Sequence, residues 1–409
     1  MTTTTDGPAA TTTRFARKQT MILEAASELI NELGVKGMGF ADVAERVGLT
    51  TTSVTYYFRK KEDLAFACFG LALDHIETQV SEAEAEPDPR QRVARFVRVN
   101  FDHFLASRQK TVPTFARMSD MRAMEDPLRQ QLQDRYRIIF RRVRALLGDA
   151  AGEPAQSLRT MRAHILMEVL YWVPAWIIRY GVADYDRVYG RFMEVFNHGL
   201  TPAGATWSPA TFPLVDADEE DGAARRNFLM AATRLINDRG YRGASVDRIA
   251  SELNVTKGSF YHHLEAKDDL VLECFRRSLS TISDAQLATD KLEGSHLHRL
   301  ESAVATLLAF QFSDSGPLLR TTALQAIPAE MRVQVIDRSN RTAGRFADMM
   351  IDAISEGSMR AVDPLIASQM LMAALNAAYE QRRWASARPM DEAVQIYASA
   401  LFSGLLDPA

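Results

Sequence analysis

Apolar positions along this chain recur at intervals of three and four over most of its length, and nowhere alternate for long enough to suggest a strand. From Arg17 to Leu33 the positions Met21, Ile22, Ala25, Ala26, Leu29, Ile30 and Leu33 predict one amphipathic helix, which Gly34 should stop. Two short helices are expected next, Phe40 to Val47 and Thr51 to Phe58, separated by Gly48 and Leu49. A long helix should then run from Lys61 to about Glu86. The same order returns later: Phe228 to Ile236 stopped by Gly240, Val246 to Leu253, Lys257 to Leu264 after Asn254-Val255, and Lys267 to about Ala288. The offset is constant, since 240 − 34 = 206 and 267 − 61 = 206. Two brief helices joined by a turn of about four residues form a helix-turn-helix. The chain is therefore read as all-α, two tandem units, each a three-helix head followed by a helical body.

The expected divisions are a disordered tail over 1–13, a first head over 14–80, a first body over 81–200, a linker over 201–221, a second head over 222–283 and a second body over 284–409. Thr, Ala and Pro dominate the tail, which has too few apolar residues to pack; a basic arm touching DNA is the other reading. The linker is rich in Pro, Gly, Ser and acid, and fully extended it would reach roughly 65 Å.

Composition narrows the function classes. With 47% hydrophobic and 24% charged residues the chain reads as a globular cytoplasmic protein with no membrane-spanning stretch. A net charge of −4 excludes a chain that is basic all over, but not a basic face. From Arg14 to Lys61 there are eight Lys/Arg against five Asp/Glu, and from Arg225 to Lys267 eight against four. Acid gathers elsewhere, as in Glu82 to Glu86 and Asp216 to Asp221. Cys68 and Cys274, again 206 apart, read as small buried hydrophobes.

In the second head Thr256 would cap a helix whose first exposed turn is Lys257, Gly258 and Ser259, the place from which recognition helices read bases. Tyr261, His262 and His263 add donors on flat rings. In the first head the corresponding run is Thr50, Thr51, Thr52, Ser53, Thr55, Tyr56 and Tyr57. Lys61 and Lys267 each open a long helix, where a cation opposes the helix dipole unless a phosphate is bound there.

The run from Ala231 to Leu270, with Val-x-x-Ile-Ala-x-x-Leu-x-Val-Thr-Lys-Gly-Ser-Phe-Tyr-His-His-Leu at its centre, closely resembles the DNA-binding head of tetracycline-repressor-like (TetR) regulators. The resemblance covers about fifty residues in each half. It implies a repressor whose fourth helix leads into a ligand-binding body and whose last two helices form a dimer interface. It also implies that Ser245, Tyr261 and Lys267 touch phosphate, while Lys257, Gly258, Ser259 and His262 face bases or backbone. The first copy departs from the pattern: Gly39 stands for the capping Ser/Thr, Thr51-Thr52 for Lys-Gly, and Thr55 for Tyr.

The expected function is thus sequence-specific binding of a double-stranded DNA operator, with two unlike heads reading an asymmetric site. Two heads could pair within one chain as an intramolecular pseudo-dimer, or two chains could form a homodimer with four heads. Release by a small apolar or aromatic effector is expected. Its candidate contacts are Phe101, Phe104, Phe115, Met118, Trp172 and Trp176 in the first body, and Phe310, Met331, Met349 and Tyr379 in the second. His103, Met121, Phe312, Met350 and Met372 are further aromatic and Met positions, all of which can equally fill core. Pro174 suggests a kinked helix.

No cofactor, metal or catalytic site is expected. The glycines from Gly34 to Gly39 follow a helix and not a strand, and the chain has neither His-Glu-x-x-His nor Cys-x-x-Cys. His262 and His263 are neighbours on a helix and diverge by about 100°. A helical interaction scaffold that has lost DNA binding in one or both heads is the alternative.

Overall fold

The structure, a computed structural model, describes residues 8–214, 220–243, 246–252, 267–313, 316–327 and 329–406. Every long element among them is a helix, as the periodicity predicts. The chain divides into two compact units, residues 1–80 with 106–139, and residues 81–105 with 140–409.

The first unit carries the first head. Helix α1 runs Pro8–Gly37, α2 Phe40–Arg46, α3 Thr51–Tyr57 and α4 begins at Lys61, continuing to Glu84. Helix α1 starts at Pro8, before Arg17 and within the stretch expected as a tail, and proline is preorganised for the first helical position. Residues 1–7 lie outside the described residues. Gly34, at φ 69°, interrupts α1 where the sequence places the stop, a left-handed conformation that glycine adopts without a Cβ penalty. Ile22, Ala26, Leu29 and Ile30 of α1 meet Val43 of α2, Val54 of α3 and Leu64, Cys68 and Phe69 of α4 in a buried core.

In the second unit α5 (Pro89–Arg108, to Leu105), α6 (Leu128–Leu146, from Phe140), α7 (Glu153–Trp176) and α8 (Tyr185–His198) build the first body. The second head contributes α9 (Glu220–Gly243) and α10 (Val246–Glu252), and Gly240, at φ 71°, repeats the Gly34 break. Then follow α11 (Lys267–Ala288), α12 (His296–Phe312), α13 (Ala329–Glu356), α14 (Pro364–Ala377) and α15 (Met390–Phe402).

Helices α7 and α8 each pack against both α14 and α15, so the last two helices of one repeat meet the last two of the other inside one chain. Ile165, Leu166, Val169 and Val173 of α7 are buried with Ile366, Met370 and Leu371 of α14 and Val394, Tyr397 and Leu401 of α15. Each such side chain contributes roughly 1.5–3 kcal/mol by leaving water. Polar groups lock the register. Arg191 pairs with Asp363 at 2.5 Å, Arg360 pairs with Glu194 and donates to the Gly199 carbonyl at 2.6 Å, and Arg388 pairs with Glu153 at 2.9 Å. Leu200 N donates to the Leu401 carbonyl at 3.0 Å, and Leu405 N to the Phe196 carbonyl at 2.7 Å. Gly199, at φ 68°, sits so close to the Phe402 carbonyl that a Cβ would overlap it. Pro174 falls in the last turn of α7, which passes into a 3-10 turn, Ile177–Arg179.

The described part of the expected linker, residues 201–214, is strapped down. Thr201 donates to the Phe402 carbonyl, the Trp207 ring packs edge-on against Phe402 at 5.0 Å, and Ala210 N and Phe212 N donate to Ser302 and Thr306 of α12 at 3.0 and 3.4 Å. The strap replaces the extended tether that composition suggests, because its unpaired backbone N–H groups find hydroxyl acceptors on one helix face. Residues 215–219 lie outside the described residues.

Candidate nucleic-acid interface

The turn into α3 is built by Thr50, whose hydroxyl accepts from Ser53 N at 3.2 Å and meets Ser53 Oγ at 2.9 Å. Capping turns Thr51 and Thr52 outward, where both are exposed, while Val54 is fully buried beneath the helix. Thr55 Oγ1 folds back to the Thr52 carbonyl at 3.0 Å. Tyr56 is 75% exposed, the most prominent large side chain of this face. Tyr57 leans on Phe15 of α1 at 4.6 Å between ring centroids, and Tyr56 stands edge-on to Tyr57 at 5.4 Å. A helix whose outward side chains are short hydroxyls and one flat ring fits the major groove.

Gly39 offers no cap side chain at the start of α2, and Asp42 reaches back to accept from Gly39 N at 3.1 Å, the half of a capping box that does not need a Ser/Thr. Lys61, expected on phosphate, donates to the Lys36 carbonyl at 2.7 Å and so ties α4 to the end of α1. Arg59 and Lys60, both exposed, lie outside the motif. Their signal is the run Arg59-Lys60-Lys61, which the second copy replaces with Glu265-Ala266-Lys267. Arg46, by contrast, is held by Glu28 at 3.4 Å and Glu32 at 2.9 Å, which keeps the Glu32 carboxyl low and the Arg46 guanidinium high.

In the second head Ser245, Thr256, Lys257, Gly258, Ser259, Tyr261, His262 and His263 lie outside the described residues, as does the side chain of Lys267, whose backbone opens α11. The described helices α9 and α10 repeat the first head closely. Cys274 Sγ donates to the Leu229 carbonyl at 3.6 Å as Cys68 Sγ does to Leu23 at 3.6 Å, and burial pushes both thiols up to about 12. They are packed, unreactive thiols, as their apolar setting predicts.

Each head is clipped to the chain beyond it by one asparagine. Asn31 donates to the Phe115 carbonyl at 2.9 Å and accepts from Arg117 N at 2.8 Å. Asn237 donates to the Leu318 carbonyl at 3.0 Å and accepts from Arg320 N at 3.0 Å. The Arg320 side chain, 3% exposed, bridges Glu168 of α7 at 3.2 Å and Glu380. His164 lies beside this pair of carboxylates, its pKa lowered by burial. The three groups stand at metal-ligand spacing, yet a buried guanidinium already holds both acids.

The expected effector contacts are dispersed. Phe101 is buried among Phe104, Tyr189 and Phe192, at 6.0, 5.6 and 5.3 Å, and Trp176 stacks on Phe192 at 6.4 Å, so these fill the α5–α8 core. Phe115 stacks on His75 at 4.5 Å in the first unit, where Met118 opens a 3-10 turn. Trp172 lies half-buried on α7 beside Tyr171. Phe310 lies under Arg277, Tyr379 under Arg382 at 3.9 Å, and Met331 and Met349 are half-buried on α13. Aromatic and Met residues at helical spacing have packed as core and interface. An apolar void lined by Ile165, Leu308, Leu371, Tyr397 and Phe402 holds only about 10 Å³, too little for an effector. No helix among the described residues is long and apolar enough to cross a membrane.

Two stretches, residues 22–68 and 228–274, match the tetR family of bacterial regulatory proteins. The Transposon Tn10 TetC protein of Escherichia coli is 25% identical over 146 residues, 36% of this chain and 73% of that protein. The HTH-type transcriptional regulator BetI of Burkholderia lata is 30% identical over 118 residues, 28% of this chain and 60% of BetI. Among solved structures, apo AibR aligns with a TM-score of 0.36 at 21% identity over 43% of this chain and 97% of its own. AibR in complex with isovaleryl coenzyme A and operator DNA aligns at 0.36, 22%, 44% and 98%. With a tetR match at each head and the helical order repeated at a constant offset, the chain is a tandem TetR-like regulator, two units of the family in one polypeptide.

Proposed function

We propose that this chain binds a double-stranded DNA operator of two dissimilar half-sites as an intramolecular pseudo-dimer, and represses until a small apolar or aromatic effector binds a body. The observation that carries this reading is the packing of α7 and α8 on α14 and α15 within one chain. The surface through which two identical chains would pair is thereby occupied by the chain's own second repeat. Tethering makes the pairing independent of protein concentration. A twofold of identical heads requires a palindrome, whereas unlike heads on one scaffold favour an asymmetric site with half-sites about one helical turn or more apart. The heads differ where bases would be read: Thr51 against Lys257, Thr52 against Gly258, Thr55 against Tyr261. They also differ beside the helix, where Arg59 and Lys60 face Glu265 and Ala266 in the alignment.

The asparagine clips supply a route for the signal. Each head holds the backbone of a segment leading into its own body, so a shift of that segment would move the head. Selection of genomic fragments on the purified chain, repeated with each head disabled by substitution, tests the reading. Two different half-site sequences, each lost with one head, are expected. A palindrome retained by both variants would overturn it.

A further inference from the structure

The two repeats differ sharply where α4 meets α6 in the first and α11 meets α13 in the second. In the first repeat Arg135 is held by Asp74 and by Glu77 at 2.9 Å, and donates to the Gly70 carbonyl at 3.3 Å. One seam further on, Arg142 pairs with Glu84 at 2.7 Å. The matching helix of the second repeat aligns at a constant offset. Arg332, Gln334, Asp337, Arg338 and Arg345 match Arg129, Gln131, Asp134, Arg135 and Arg142, since 338 − 135 = 203 and 345 − 142 = 203. On the partner helix the offset is 206, so Asp290 matches Glu84, and Arg345 pairs with Asp290 at 3.0 Å as expected.

The carboxylates that face Arg135 are missing. Ser280 stands at the place of Asp74 and Ser283 at that of Glu77. Arg338 is half-buried and has no carboxylate partner among the described residues. Three more differences change the seam: Gln286 for buried Val80 and Arg341 for Ile138 make it polar, and Gly344 for Arg141 opens it. Gly344 has no atom within 4 Å of where its Cβ would be. The result is a polar groove of about 410 Å³ lined by Ser283, Gln286, Arg338, Arg341, Arg345 and Asp348. Gln286 is 1% exposed; its amide donates to the Thr342 carbonyl at 3.1 Å while its Oε1 is buried with no donor.

We infer that this groove binds a phosphate monoester of a hydroxyl-bearing metabolite, a second small-molecule site that the first repeat lacks. Arg338 and Ser283 supply donors for the phosphate, and Arg341 and Arg345, each already paired with one acid, keep the wall positive. Asp348 and Gln286 Oε1 are acceptors and would repel an anion, so that end suits hydroxyl groups. The volume is in the range of small-molecule sites. Operator DNA is the less suitable occupant. Ser283 lies sixteen residues along α11 from Lys267, at the DNA-side start of the helix, which is about 24 Å at the rise of an α-helix.

The test reads binding without DNA, so its failure is separable from that of the operator reading. Ribose 5-phosphate titrated calorimetrically into the full chain should bind saturably at one site, and ribose should not. Arg338→Ala should weaken binding by about 10- to 100-fold. The double variant Ser280→Asp with Ser283→Glu rebuilds the first repeat's ion pairs, a packing this fold already accommodates, and should abolish it. Unchanged affinity in either variant, or no binding at millimolar probe, would overturn the site. Inorganic phosphate binding as tightly as ribose 5-phosphate would overturn the hydroxyl assignment, and displacement by duplex DNA without an operator would assign the groove to DNA.

Discussion

Glu301 offers a quantitative handle on the strap over α12. It lies on the face of α12 covered by residues 208–212, 4% exposed, and burial pushes its carboxyl up to about 7 from an ordinary 4.5, against the pull of a hydrogen bond from Ser208 N. Between those two values the native chain holds a proton that the unfolded chain has released. Native protons exceed unfolded ones, so stability falls as pH rises from about 4.5 through about 7. The full gap corresponds to about 3 kcal/mol, an upper figure because the strap can loosen and admit water. Glu301→Gln keeps the shape and an acceptor for Ser208 N but does not titrate. Thermal or urea unfolding of both proteins from pH 5 to 8 gives a difference profile that removes all other titrating groups. The variant should gain on the parent steadily up to pH 7 and level off above it, ending more stable by up to about 3 kcal/mol. A difference that does not change with pH would refute both the buried carboxyl and the closed strap.

Other consequences are as direct. Asn237→Ala leaves the Leu318 carbonyl and Arg320 N without partners at a site 3% exposed and should cost about 2–4 kcal/mol; the half-buried Asn31→Ala should cost less, both read from urea midpoints. Tyr56→Ala, at a position 75% exposed, should change stability by no more than about 0.5 kcal/mol yet weaken binding to the first head's half-site in gel-shift titration. Cys68 and Cys274, both buried with thiols near 12, should resist iodoacetamide at pH 8 in the native protein and both react in urea.

Much of this architecture is legible in the sequence because its signals are local. Gly34 and Gly240 end helices through a backbone conformation that needs no tertiary context, and the period of Ile22, Ala26, Leu29 and Ile30 names the buried face of α1 directly. Thr50 announces the cap of α3 by its type and place. The rest depends on what meets what. Composition marks 201–214 as a tether, but Ser302 and Thr306, 92 and 94 residues beyond their partners Ala210 and Phe212, decide that it lies flat. Phe101, Trp176 and Tyr379 have the same chemistry whether they line a pocket or fill a core, and only their neighbours Phe192 and Arg382 distinguish the two. The loss of Arg338's partners is written in Ser280 and Ser283, yet it becomes visible only when Arg135 is seen held by Asp74 and Glu77.

The central claim is that one chain does the work of two. The most direct measurement is the mass of the chain bound to its selected operator fragment, by light scattering or sedimentation at dilute concentration. One chain of 45.7 kDa per duplex is expected, with both half-sites protected from cleavage. Two chains per duplex, or protection of one half-site alone, would contradict it.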